Sequence, residues 1–146
     1  MAYDLHLVFD CADVDLVSRF WLVALEGYTY PGCPPDDPAR PPTGFATWEE
    51  WADAQGIPED QRYLARTIVD STGKRPDIFF NAVPEPKTVK NRVHLDIAVS
   101  RTVPAEESEA RKEAEAERLI AAGATLVSRT HLLVLRDPEG NEFCIT

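Results

Sequence analysis

Two of the three histidines occupy closely similar surroundings, Asp4-Leu5-His6-Leu7 near the start and Arg92-Val93-His94-Leu95 past the middle. An imidazole titrates near neutrality, moves a proton, and ligates metals through its neutral nitrogen. Heading two strand-like runs, the pair points to one site assembled where two half-domains meet. Other groups able to bind or transfer charge flank them: Asp10 follows His6, Asp96 follows His94, and Glu142 and Cys144 close the chain. Trp48 and Trp51, one helical turn apart, offer planar surface to an aromatic or planar substrate.

These groups need elements to hold them. From Asp4 to Cys11, Leu5, Leu7, Phe9 and Cys11 alternate with His6, Val8 and Asp10, the period of a half-buried strand. Asp13 then caps a helix predicted over Val14 to Glu26, whose apolar positions recur at helical spacing until Gly27. Between Pro31 and Pro42 lie six of the twelve prolines, a composition that requires an irregular loop. Thr47-Trp48-Glu49-Glu50 reads as a capping box opening a short helix that ends at Gly56. Strands are predicted at Tyr63 to Val69 and Asp77 to Val83, joined through Asp70-Ser71-Thr72-Gly73. Pro84-Glu85-Pro86-Lys87 reads as a linker.

The order then repeats. Val93, Leu95, Ile97 and Val99 alternate with His94, Asp96, Ala98 and Ser100, a helix is predicted over Pro104 to Ala122 and stops at Gly123, and three strands follow at Thr125–Thr130, Leu132–Arg136 and Glu142–Thr146. Asp137-Pro138-Glu139-Gly140-Asn141 forms the turn before the last strand. The expected organisation is a single domain over residues 1–146, with module one at 1–86, carrying an insertion at 31–56, and module two at 87–146.

Composition narrows the function classes. Fifteen basic against twenty-five acidic residues give a formal charge of −10, which repels phosphate backbones and anionic membrane surfaces, so neither nucleic acid nor membrane is an expected partner. With no apolar run near the roughly 20 residues of a membrane helix and no signal-like start, a cytoplasmic protein is expected. Cys11, Cys33 and Cys144 are an odd number without CxxC spacing and read as reduced thiols. Neither a Gly-rich phosphate loop nor a Gly-x-Ser-x-Gly motif occurs.

The paired units, the Asp137–Asn141 turn and a histidine opening each half resemble the vicinal oxygen chelate superfamily, which includes glyoxalase I, bleomycin-resistance proteins and extradiol dioxygenases. The likeness is greatest to small glyoxalase-like domains, through Val8-Phe9-Asp10-Cys11-Ala12-Asp13, Val83-Pro84-Glu85-Pro86-Lys87 and Asn91-Arg92-Val93-His94-Leu95-Asp96. It implies an α+β fold of two βαβββ modules, their curled sheets around a shared cleft and helices outside, with His6, Asp10, His94, Asp96, Glu142 and Cys144 facing the cleft. It also implies a cation held by one ligand from each of four strands, usually two imidazoles and two glutamates. His6 and His94 match the imidazole positions, but the carboxylate positions fall at Cys144 and near Asn81.

That departure leaves two functions open. The first is a small-molecule binding protein, as bleomycin-resistance members are, without the usual four-ligand metal site. The second is a metal-dependent lyase, isomerase or dioxygenase, with His6, His94 and Cys144 joined by Asn81 or Glu142 around zinc, nickel, manganese or iron. A homodimer is consistent with the superfamily. Plainer roles stand beside these: cleft histidines hydrogen-bonded to Asp10 or Asp96, Cys144 as a buried apolar group, and the tryptophans as staples for the inserted helix. His131 is expected at a surface or strand edge, and Glu106 to Glu117 on a solvated helix face.

Overall fold

A computed structural model describes residues 3–34, 36–130 and 132–146; His131 lies outside them. The chain divides between Pro86 and Lys87 into two compact units, and each has the βαβββ order of the α+β fold. Module one comprises β1 (Leu7–Cys11), α1 (Val14–Ala24), β2 (Tyr28–Thr29), α2 (Trp48–Ala54), β3 (Ala65–Asp70) and β4 (Ile78–Ala82). Module two comprises β5 (Leu95–Ile97), α3 (Ser108–Ala121), β6 (Thr125–Arg129), β7 (Leu133–Arg136) and β8 (Glu142–Ile145). The sheets are open and have the same topology, β1-β4-β3-β2 and β5-β8-β7-β6. In each, the first strand runs parallel to the last and the remaining pairs are antiparallel.

Local chemistry sets the limits of these elements. Asp13 accepts from the Asp15 and Leu16 amides at 3.0 and 2.9 Å, starting α1 where the sequence requires. The helix ends two residues early, and Gly27 takes φ +90° so that the chain can turn into β2. Between α1 and its sheet lies the core of module one, with Val17, Trp21, Ile68, Ile78 and Phe80 almost wholly buried. Phe9 stacks on Phe80 at 5.4 Å and meets Trp21 at 4.9 Å, which puts the Leu7-Phe9-Cys11 face of β1 against α1. Val8 and Asp10 therefore point to the other side.

Thr47 caps α2 through the Glu50 amide at 3.1 Å, while the Glu50 carboxylate reaches back to the Ala46 amide at 2.9 Å, one residue before the usual partner in such a box. Asp70 organises the β3–β4 turn from inside. It accepts from the Thr72 hydroxyl at 2.6 Å and from the Lys74 and Arg75 amides.

Module two departs from expectation in three places, one being that the helix expected from Pro104 opens as a 3-10 turn at Ala105–Glu107 before α3 begins at Ser108. The first strand is only three residues long, because Ala98–Val99 leaves the sheet where β8 ends. The Ser100 amide donates to the Thr146 carbonyl, and the Thr102 hydroxyl to the Val99 carbonyl, closing a 3-10 turn. The acidic face of α3 is not wholly solvated either: Glu115 is buried beside Ala116 and Leu119. Burial alone would raise its pKa, but Arg118 and Arg111 clamp the carboxylate and hold it lowered. Helical periodicity places Glu115 on the sheet side, and the arginine stems follow it there.

The Asp137–Asn141 turn is closed by Asp137 Oδ1, which accepts from the Glu139 and Asn141 amides at 3.0 and 2.9 Å, and Gly140 takes φ +91°. Immediately after it, Glu142 is buried and accepts from the Asn91 amide at 3.0 Å and from Lys87 at 3.3 Å. The Asn91 amide first, then the residue's own amide and Lys87, hold this carboxyl down to about 2 against its burial, and the Thr72 hydroxyl and loop amides hold Asp70 well below the usual carboxylate range. Both pKa values are lower in the folded than in the unfolded chain, so their contribution is complete above pH 4.5, the ordinary glutamate value, and is lost as pH falls further. Thermal midpoints measured from about pH 6 down to about pH 2 are expected to drop mainly below that point; a flat profile there would contradict the assignment.

Candidate functional site

Module two brings together three of the residues singled out by sequence. Asp96 on β5 and Cys144 on β8 are register partners in the parallel pair, and His94 precedes β5 on the same side of the chain. Their ligand atoms lie within 4.8 Å of one another, with His94 Nε2 3.4 Å from Asp96 Oδ1. Imidazole and carboxylate are exposed while the thiol is buried. Burial, reinforced by the Asp96 carboxylate, pushes the Cys144 thiol up, so at neutral pH it is a neutral hydrogen-bond donor and not a thiolate.

Glu142 is not part of this group. Its oxygens are taken by Lys87, the Asn91 amide and, at 3.4 Å, Arg136. Two residues along a strand separate like-facing side chains by roughly 6 to 7 Å, and the clamp holds the carboxylate at its own end of β8.

In module one the matching position is set by hydrogen bonds. The Val83 amide donates to the Cys11 carbonyl, and the Thr146 amide to the Ile97 carbonyl. Cys11 thus corresponds to Ile97, Asp10 to Asp96, and Asn81 to Cys144. Asp10 accepts from Asn81 Nδ2 at 3.2 Å, a polar pair at the same place as Asp96 and Cys144. Counting back, Val8 occupies the place of His94, and His6, exposed and ahead of β1, corresponds to Arg92. The two histidines are two residues out of step, because similarity of short strings does not set ladder register.

Trp48 and Trp51 lie elsewhere in module one, lining a cavity of about 380 Å³ with Asp15, Tyr30, Arg66 and Thr67. Trp48 stands edge-on to Tyr30 at 5.4 Å and to Trp51 at 5.5 Å, and its Nε1 donates to the Ala39 carbonyl at 3.3 Å. It therefore ties the Pro-rich loop to α2, and both tryptophans remain only partly covered. Arg66, its Nε 2.6 Å from Asp15, was not legible as a site residue. An isolated arginine in a strand-like run carries no periodic signal, and its partner is 51 residues away along the sequence.

All three cysteines are free and buried, and burial pushes the Cys33 thiol up to about 11. Native protein at about pH 7.5 is expected to react with iodoacetamide on the order of 100-fold more slowly than protein in urea. Rapid labelling of one native thiol would contradict this.

A family model described as glyoxalase-like domain matches residues 6–146. No curated protein matches the chain. Among solved structures it is similar to a glyoxalase/bleomycin resistance protein/dioxygenase family enzyme from Burkholderia phytofirmans PsJN, at 20% identity and TM-score 0.55, covering 98% of this chain and 97% of that one. A possible glyoxalase from Bacillus cereus gives 16% identity and TM-score 0.59 over 100% and 99%. A mutant fosfomycin resistance protein FosX from Listeria monocytogenes, complexed with Mn(II) and 1S,2S-dihydroxypropylphosphonic acid, gives 11% and 0.52 over 99% and 90%. Among the described residues no helix is long and apolar enough to cross a membrane.

Proposed function

From the premise that this chain belongs to the glyoxalase-like domain family, we propose that it binds a small polar or cationic molecule through His94, Asp96 and Cys144, without the usual four-ligand metal centre. The convergence of those three side chains within 4.8 Å carries this reading. Asp96 supplies an exposed anionic acceptor, His94 a group that donates or accepts, and Cys144 a protonated thiol at the buried end. The residues at the usual carboxylate positions argue against the usual four-ligand centre: Asn81 is a neutral amide bonded to Asp10, and Cys144 offers sulfur where a carboxylate oxygen would stand.

A thermal-shift screen of cationic antibiotics and small polar metabolites tests it. A ligand at 100 times its Kd stabilises the native state by about 2.7 kcal/mol, and Asp96→Asn is expected to remove the shift. Metal-dependent turnover of a hemithioacetal or a catechol, with no shift by any compound, would overturn the reading.

The same convergence supports a second reading, a divalent cation at His94, Asp96 and Cys144. One nitrogen, one oxygen and one sulfur donor suit zinc better than the all-oxygen preference of magnesium or calcium. The thiol must lose its proton to ligate, so affinity should rise with pH and binding should release about one proton. Zinc titration by calorimetry in two buffers of different ionisation enthalpy measures that proton. Binding that is unchanged in both His94→Ala and Cys144→Ser would sink this second reading.

A further inference from the structure

The cavity beside Trp48 and Trp51 belongs wholly to module one and owes its space to an early departure of β2. That strand pairs with β3 only at Tyr28–Asp70 and Thr29–Val69, after which the chain leaves the sheet and the first half of β3 becomes an open edge. The direction of its peptide groups follows from register. The Ala82 amide donates to the Leu64 carbonyl at 2.8 Å and the Val83 amide to the Cys11 carbonyl at 2.9 Å. Even-numbered residues of β4 thus turn their amides to β3, and odd-numbered ones to β1. Phe79 faces β1, so its partner Thr67 directs both its N–H and its C=O away from β4, into the space beside β2. Thr67 lines the cavity.

An exposed strand edge is ordinarily charged, shortened or covered. Here the edge residue Thr67 shares one cavity with the rings of Tyr30, Trp48 and Trp51. Trp48 meets Tyr30 and Trp51 edge to face at 84° and 83°, a favoured aromatic arrangement that fixes the rings in place. The lining charges cancel: Asp15 and Glu49 stand against Arg62 and Arg66, with Arg66 held by Asp15 and Arg62 by Asp53. At about 380 Å³ the cavity sits at the small end of ligand pockets, which run from roughly 300 to 1,000 Å³.

We propose that this cavity binds a neutral, planar, one- or two-ring heteroaromatic of the cyclic-amide type, whose adjacent N–H and C=O pair with the peptide C=O and N–H of Thr67 while its rings pack against Trp48 and Trp51. One edge residue presents donor and acceptor side by side and in one direction, which is the complement of a lactam. The site is independent of His94, Asp96 and Cys144.

Titration calorimetry with the bicyclic lactam carbostyril tests it, with quinoline as a comparator of the same ring size lacking the amide pair. Carbostyril is expected to bind at least about tenfold more tightly than quinoline, the worth of about one net hydrogen bond. Trp51→Leu is expected to weaken carbostyril by a similar factor, whereas His94→Ala leaves its affinity unchanged. Absence of carbostyril binding, or equal binding of quinoline, overturns the proposal. So does loss of binding in His94→Ala, which would place the ligand elsewhere.

Discussion

Trp21→Ala is expected to destabilise the protein by about 3–5 kcal/mol, the range for removing a large aromatic side chain from a packed core. Trp21 is 1% exposed and meets Phe9 at 4.9 Å and Phe20 edge-on at 5.7 Å. It joins α1 to β1, and through Phe9 to Phe80 on β4. Alanine would leave a void bounded by strand backbones and by Val17, which cannot collapse without bending the sheet. A thermal midpoint lowered by on the order of 10 °C is expected. Trp21 is not among the residues that line the cavity near Trp48, so carbostyril should still bind the folded fraction below the new midpoint. A loss under 1 kcal/mol by chemical denaturation, roughly that of a surface change, would mean that α1 is not packed as described.

Glu142→Ala is expected to cost about 2–3 kcal/mol while leaving ligand binding at His94, Asp96 and Cys144 intact. The carboxylate receives the Asn91 amide and Lys87 and lies 3.4 Å from Arg136, and truncation strands these donors without a buried acceptor. Lys87 and Arg136 can still reach solvent, which keeps the loss below that of a fully enclosed pair. The acid-dependent part of stability below pH 4.5 should shrink in the same variant, because the group held down to about 2 is gone. Asp96→Asn should behave in the opposite way, preserving stability and removing binding. Equal loss of binding in both variants, measured where each is fully folded, would return Glu142 to the site.

Glu142 illustrates how far sequence reaches. Alternation placed it correctly on the strand face of Cys144, and the turn before it identified the final strand. Its role depended on Lys87 and Asn91, residues 55 and 51 positions away, and pairing over that distance leaves no periodic trace. Glu115 failed for a related reason: an acidic stretch in a helix reads as solvated unless the arginines that accompany it inward are recognised. By contrast Asp13, Thr47 and Gly140 were legible because caps and tight turns are solved within four residues.

The histidines mark the boundary between the two kinds of information. Period, caps and breakers are local quantities, and they determined the helices, the longer strands and the repetition of a strand-helix unit, whereas the two-residue β2 (Tyr28–Thr29) is too short to leave a period and the full βαβββ order came from the family resemblance. Register is a property of hydrogen-bonded ladders between distant strands, and only tertiary structure decided it. The ladder set Asp10 opposite Asn81 and Asp96 opposite Cys144, gathered His94 to the second pair, left His6 two residues out of step, and turned the Thr67 peptide away from β4.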